Sequence, residues 1–275
     1  MEEVFLWRGS LEQRRLRTLV GKTGRFNYFN QQLDYPDWSE KLVLDFGGNE
    51  GNLLLDLGCT IRPENYYCLD IISEALEVGR QRFPQGHWVY YNRYNCSFNP
   101  EGIEGLPLPD LGVRFDMILA YSVFTHTTRE DMHSLVEQLE ARLAPGGTLA
   151  FTFIDPHYNS WPGTDRGSNL RWRLERIHQT NRSFDVDDLW KQSCGAQWCA
   201  LVNGSELHLN NNGSWSHERE TCLTYNVYYS VGFIRQEFPH ATIRPPVNGE
   251  MQHCCLIRTP GSAGIPPASL EERHL

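Results

Sequence analysis

Five apolar runs of strand length, each ending in a glycine-rich or polar break, constrain this chain more than any other feature. They are KLVLDF (41–46), NYYCLD (65–70), HWVYYN (87–92), FDMILAY (115–121) and GTLAFTFI (147–154). Helical patterns lie between them. One is expected from Glu50 to about Leu57, stopped at Gly58, and a second is SEALEVGRQRF (73–83), with Glu74 and Glu77 near its start. A third opens on Thr127-x-x-Glu130, which reads as a capping box, and runs to about Leu143. Strands alternating with helices in this way make an open, mostly parallel sheet with right-handed crossovers.

Outside that stretch the rhythm changes. Residues 9–20 carry a helical stripe with Ser10 as a cap, and 21–40 read as an aromatic-rich loop. After Asp155 the sequence predicts an Arg-rich helix near 168–180 and a short helix near 185–193. AQWCALV and ELHL flank the turn dipeptide Asn203-Gly204 as a hairpin. A helix near 219–230, a strand at FIRQEF (233–238) and a last strand, QHCCLIR (252–258), complete the pattern. The expected organisation is an N-terminal helix and aromatic cap segment (1–40), one ligand-binding domain (41–258) containing a lid-like insert (156–215), and a tail (259–275).

Charge narrows the partners. The formal net charge is -9, which disfavours nucleic acid and anionic membranes, since both reward a basic surface. No apolar run approaches the roughly 20 residues of a membrane helix. MEEVFLWRGS lacks the pattern of a signal peptide. The eight cysteines are scattered and mostly in apolar company, which reads as free thiols in a reducing cytoplasm, with no metal site at ligand spacing.

In an open parallel sheet, ligands sit at the carboxyl ends of the strands where strand order reverses. The residues at those ends are Asp45 with Gly47, Gly48, Asn49 and Gly51, then Asp70, then Asn92 and Asn95, then Tyr121 and Ser122, then Asp155. The glycines let backbone approach a ligand, but their spacing is not the dinucleotide G-x-G-x-x-G. An acid ending the second strand accepts both hydroxyls of a ribose and repels a 2′-phosphate. The plain alternative is that Asp70 caps the next helix. His126 and His157 follow the fourth and fifth strands, each as a base or a substrate contact.

VLDFGGNEGN, YYCLD, FDMILAYSVFTH and LAPGGTLAFTFID together resemble the successive motifs of class I S-adenosylmethionine (SAM)-dependent methyltransferases. The family loop is Asp/Glu-x-Gly-x-Gly-x-Gly. Asp45, Gly47 and Gly51 match it, while Asn49 stands at the middle glycine. The resemblance implies an α/β fold with an open, mostly parallel seven-stranded sheet, helices on both faces, an antiparallel last strand and an inserted lid after the fifth. It implies that the Gly47–Gly51 loop borders the methionine part of SAM, and that Asp70 and Ile71 hold the ribose end. Asn92 or Asn95 would meet the adenine amine, and Tyr121 and Ser122 would line the methyl donor. S-adenosylhomocysteine (SAH) would be the product.

The expected activity is methylation of an oxygen or nitrogen of a small molecule, with His126, His157 and Tyr121 as candidate catalytic groups. Aromatic residues of the two flanking segments, Tyr28, Phe29, Tyr158 and Trp161 among them, would enclose the substrate. Most of the arginine run 166–182 reads as solvated surface, and the sharper reading makes Arg171 a carboxylate or phosphate clamp. Two other functions fit the same sheet: non-methyl chemistry on SAM, such as cyclisation of its aminobutyrate arm, and an NAD-dependent oxidoreductase.

Overall fold

A computed structural model of the chain describes residues 24–202, 206–209, 225–247 and 249–261. The helix expected at 9–20 with its cap Ser10, the Asn203-Gly204 turn and the tail from 262 lie outside the described residues. The main sheet has seven strands: β1 (Val43–Phe46), β2 (Tyr66–Asp70), β3 (His87–Tyr90), β4 (Phe115–Ala120), β5 (Leu143–Phe153), β9 (Thr242–Arg244) and β10 (His253–Arg258). Their order is β3-β2-β1-β4-β5-β10-β9. β10 pairs antiparallel with both neighbours, and the other pairings are parallel. Strand order reverses between β1 and β4, so the carboxyl ends of those two strands flank the natural ligand crevice.

Each face of the sheet has its own core, because side chains alternate across a strand. Cys254 and Cys255 fall into opposite cores as adjacent strand residues must. On one face α3 (Arg129–Glu140) packs Met132, Leu135, Val136 and Leu139, joined by Phe233 and Ile234 of α6 (Val231–Glu237). On the other lie α1 (Arg25–Gln32) and α2 (Ser73–Arg82). The insert carries α4 (Asn169–His178), α5 (Val186–Ser193) and the hairpin β6 (Trp198–Val202) and β7 (Glu206–Leu209). With β8 (Tyr225–Tyr229) the hairpin forms a small sheet of order β7-β6-β8. Leu170 and Leu174 of α4 anchor a third cluster there with Cys199 and Leu201. Among the described residues no helix is long and apolar enough to cross a membrane.

Five local expectations are corrected. Residues 50–57 form successive turns rather than a helix: Gly51, in the first turn of that span, takes positive φ (83°), as do Asn49 just before it and Gly58 just after, and a right-handed helix cannot pass through such a residue. The 21–40 loop instead contains α1. Phe26 and Phe29 recur at helical spacing, and the Asp56 carboxylate accepts the Phe26 N–H at 2.6 Å, supplying the cap that Gly24 lacks. The helix placed near 219–230 is strand β8 over Tyr225–Tyr229, paired with β6. FIRQEF is helix α6, capped by Ser230, whose Oγ accepts the Phe233 N–H at 3.1 Å. Both segments are short apolar runs, which periodicity alone does not sort into helix or strand.

The fifth correction shifts the capping box by one residue. Thr128 caps α3 and its Oγ1 accepts the Asp131 N–H at 3.1 Å. Thr128→Ala is therefore expected to cost about 1 kcal/mol, lowering Tm by about 2–4 °C in a chain of this size. Thermal unfolding followed by circular dichroism checks this, and Thr127→Ala should leave the helix cap intact.

Candidate functional site

The crevice begins where β1 ends. Gly47 continues the sheet, its N–H bonded to the Leu69 carbonyl at 2.8 Å, then turns away at positive φ. A side chain at Gly47 would place its Cβ 2.5 Å from Val123 Cγ2, and one at Gly48 would meet Asp45 Cγ at 2.6 Å and Cys68 Sγ at 2.7 Å. The loop is thus pressed against β2 and the β4 exit with no room for a Cβ. Asn49 holds the middle glycine's place in the left-handed region, which asparagine tolerates better than most residues.

Asp70 ties this loop to the next helix. Its Oδ2 accepts the Asn49 N–H at 2.7 Å and its Oδ1 accepts the Ile72 N–H at 2.9 Å. The residue is 6% exposed. Burial raises its pKa, and the N–H groups of Ile72 and Asn49 oppose the rise. The Ile71 N–H also acts on the carboxylate, and its four acceptor sites still leave room for a ligand hydroxyl.

Beyond β4, Ser122 also takes positive φ (59°), held by its N–H bond to Thr152 Oγ1 at 2.7 Å. A non-glycine residue strained at the end of a central strand marks a place where the fold over-determines the backbone. Tyr121 beside it donates to Glu250 Oε2 at 3.0 Å. Its ring meets Tyr28 and Phe29 edge-on at 5.4 and 6.1 Å. Burial first, then the Glu250 charge, push its phenol far up, so it stays protonated and acts as a donor.

These residues surround a cavity of about 750 Å³. Of the residues singled out in the sequence, Gly47, Asn49, Asp70, Ile71, Asn95, Tyr121, Ser122 and His126 border it. Asn95 also braces the wall, donating to the His126 carbonyl at 2.8 Å and accepting the Ser97 and Phe98 N–H groups. His126 stands edge-on to Phe98 at 5.1 Å.

The other sequence candidates lie away from the cavity lining. Asp45 sits behind the loop, accepting the Tyr66 hydroxyl at 2.6 Å. Gly48 and Gly51 pack against Asp45 and Trp88 respectively. Asn92 is engaged by Tyr90 and Asn99. His157 Nε2 donates to the Ser193 carbonyl at 3.1 Å, with Trp190 against its ring. Tyr28 and Phe29 are buried in α1's contact with the sheet. Tyr158 packs on His253, and Trp161 on Trp172. Arg171 is not a clamp on the cavity. It pairs with Glu175 at 2.9 Å and Asp187 at 2.8 Å on the insert's surface. Asp155 accepts the N–H groups of His157, Tyr158 and Val231, stapling the insert to α6.

Three cations of the lining went unread in the sequence. Arg25 opens α1, with its guanidinium 5.3 Å from the Tyr121 ring centroid. Arg82 pairs with Glu50 at 2.6 Å. Arg93 pairs with Asp131 and donates to the Leu106 carbonyl at 2.6 Å. Helical periodicity in RFNYFNQQ is the signal that would have located Arg25.

Residues 44–149 match a family model described as a methyltransferase domain. Solved structures similar to this chain include the glycopeptide N-methyltransferase MtfA complexed with SAM. It is 10% identical, with 86% of this chain and 95% of that one covered and a TM-score of 0.47. An S-adenosylmethionine-dependent methyltransferase from Clostridium acetobutylicum ATCC 824 is 12% identical over 86% and 91% of the two chains, with a TM-score of 0.47. DesVI from Streptomyces venezuelae is 12% identical over 91% and 98%, with a TM-score of 0.46.

Proposed function

We propose that this chain, whose residues 44–149 match a methyltransferase-domain model on a seven-stranded sheet, is a class I SAM-dependent methyltransferase that methylates an oxygen or nitrogen of a small molecule. The observation that carries the proposal is the single cavity in which the Gly47 loop, the buried Asp70 carboxylate and the strained β4 exit at Ser122 converge. The fit to SAM rests on two features. A buried acid faces the cavity with lone pairs to spare for ribose hydroxyls. The loop beside it puts Gly47 and Asn49 on the cavity wall, so at Gly47 only backbone faces a ligand. The net charge of -9 favours a small acceptor over nucleic acid.

SAM supplies a methyl group already made electrophilic by its sulfonium. The chain's residues then have three tasks. Asp70 and Ile71 hold the ribose end, and Asn95 reads the adenine side. Tyr121, with its proton retained, walls the reacting end beside Ser122. Alignment and exclusion of water supply most of the rate, as proximity effects. Where the acceptor is a hydroxyl or ammonium, a base must take its proton. Of the candidate groups, His126 borders the cavity, whereas His157 spends its ring N–H on Ser193 and Tyr121 holds its own proton.

The test supplies methyl-labelled SAM with panels of small amines, alcohols and carboxylic acids, and follows label transfer together with SAH release. Label in a small organic acceptor is the expected result, and label confined to RNA or protein overturns the reading. Methylthioadenosine as product in place of SAH would point to chemistry within SAM itself. With an acceptor in hand, His126→Gln is expected to lower kcat about 100-fold while the SAH dissociation constant moves less than about threefold. An equal loss in SAH affinity would remove His126 from the role of base.

A further inference from the structure

Two buried residues behind the cavity wall, Thr152 and Gln252, brace the exit of β4. The pairing of β4 with β5 ends at Ala120 opposite Phe151, so Ser122 lies beyond the ladder. At φ 59° its N–H turns instead onto the Thr152 hydroxyl, 2.7 Å away. That hydroxyl accepts from Ser122 and donates to Gln252 Oε1 at 2.5 Å. The Gln252 carbonyl in turn accepts the Tyr28 hydroxyl of α1 at 2.9 Å. Thr152 is wholly buried and Gln252 nearly so. The relay thus runs inside the protein, where an orphaned N–H costs most.

The turn that this relay holds aims the residues on either side of it. Tyr121 goes to the ring cluster with Tyr28 and Phe29. Val123 goes to the glycine loop, where its Cγ2 stands 2.5 Å from the place of a Cβ on Gly47. Tyr121, Ser122, Val123 and Gly47 all border the cavity. The gap between the glycine loop and the β4 exit therefore follows the backbone of Ser122. A serine has no preference of its own for the left-handed region, so that backbone needs an outside hold. A misplacement of about 1 Å at a reacting geometry can cost about 100-fold in rate.

We infer that Thr152 is a positioning residue for methyl transfer: backed by Gln252, it holds Ser122 in the left-handed turn and so sets the alignment of acceptor and methyl donor. This rests on the methyltransferase reading of the cavity. Amide hydrogen exchange on the full chain, with no ligand present, reads the turn alone. Thr152→Val keeps the shape and loses the hydroxyl, and is expected to speed exchange in peptides spanning 120–125 about 30-fold. With the acceptor found by the labelled-SAM panel, the same variant is expected to lower kcat about 30-fold while the SAH dissociation constant moves less than about threefold. Thr152→Ser, which restores the hydroxyl, should return both exchange and kcat to within about threefold of the parent. Gln252→Leu alone is expected to lower kcat about fivefold. Added to Thr152→Val it should cost nothing further, because its side chain acts through that hydroxyl.

Unchanged exchange or unchanged kcat in Thr152→Val overturns the inference. So does a loss of SAH affinity as large as the loss in kcat, which would make Thr152 a packing residue. Serine failing to restore the rate, or losses that multiply in the double variant, overturn it as well. Retained SAH binding certifies that each variant is folded. If the parent chain binds no SAH and labels no acceptor, the methyltransferase reading itself falls and takes the inference with it. That outcome is distinct from a Thr152 variant that behaves like an active parent.

Discussion

Asp70→Ala is expected to bind SAH about 100-fold more weakly than the parent chain. A carboxylate accepting both hydroxyls of a ribose makes two charge-assisted hydrogen bonds, each worth about 1.5–3 kcal/mol. Loss of about 2.7 kcal/mol is already a factor of 100. The variant also strips acceptors from the N–H groups of Asn49 and Ile72, which anchor the glycine loop and the start of α2. Some of the affinity therefore disappears through a loosened loop rather than a lost contact. Asp70→Asn separates the two effects. Its one amide oxygen offers two acceptor sites against the carboxylate's four, and no charge, so it cannot serve both N–H groups and both hydroxyls, and an intermediate loss of about tenfold is expected. Calorimetry with SAH, and with NAD as a control, reads both variants. If parent and Asp70→Ala bind SAH equally, the acid at the end of β2 does not hold a ribose. If NAD binds the parent and SAH does not, the cavity belongs to another chemistry.

The reason Asp70 could be picked out in advance is that the central sheet is written in contiguous runs. β1 is buried at all four positions, and β2 at all but one. Such strands look the same in sequence and in space, and the residue after each lies at the ligand edge by topology alone. Gly47, Asn49, Asp70, Tyr121 and Ser122 follow from that rule. The parts that escaped obey other rules. α1 hides in an aromatic segment because Phe26, Tyr28 and Phe29 are all buried, which blurs its helical stripe. α6 and β8 are too short for periodicity to decide, and only the Ser230 cap distinguishes them. Arg25, Arg82 and Arg93 reach the cavity by long side chains from neighbouring elements, and no spacing within one element reveals that. Arg171 shows the converse. It looked available in sequence, but Glu175 lies one helical turn away and Asp187 opens the next helix, so the insert satisfies it locally.

Asp45→Asn is expected to stabilise the chain at pH 8 and to flatten its pH dependence between about pH 4 and 7. Asp45 is the third residue of β1, between Cys68 of β2 and Leu119 of β4, and is 3% exposed. Burial pushes its carboxyl up to about 7, against the Tyr66 hydroxyl and the Arg25 charge, which pull it down. In the unfolded chain the same group titrates near about 3.9. The folded state therefore keeps a proton that the unfolded state has released across this window. Its contribution is most favourable below about pH 4 and is lost progressively as pH rises towards 7. A difference of roughly three pKa units corresponds to roughly 4 kcal/mol between the two limits, and asparagine, neutral throughout, avoids most of it. Tyr66 keeps an acceptor in the amide oxygen, so the packing survives. Asp56, pushed up to about 6 by burial, adds a drift of the same sign that persists in the variant. Urea unfolding of both proteins at half-unit steps from pH 4 to pH 8 reads the effect. The two stability curves should nearly meet at the acid end and diverge towards pH 8, with the variant above. SAH affinity should change less than about threefold, since Asp45 stands behind the loop rather than on the cavity wall. Parallel curves would show that Asp45 is ionised in the folded chain at all these pH values.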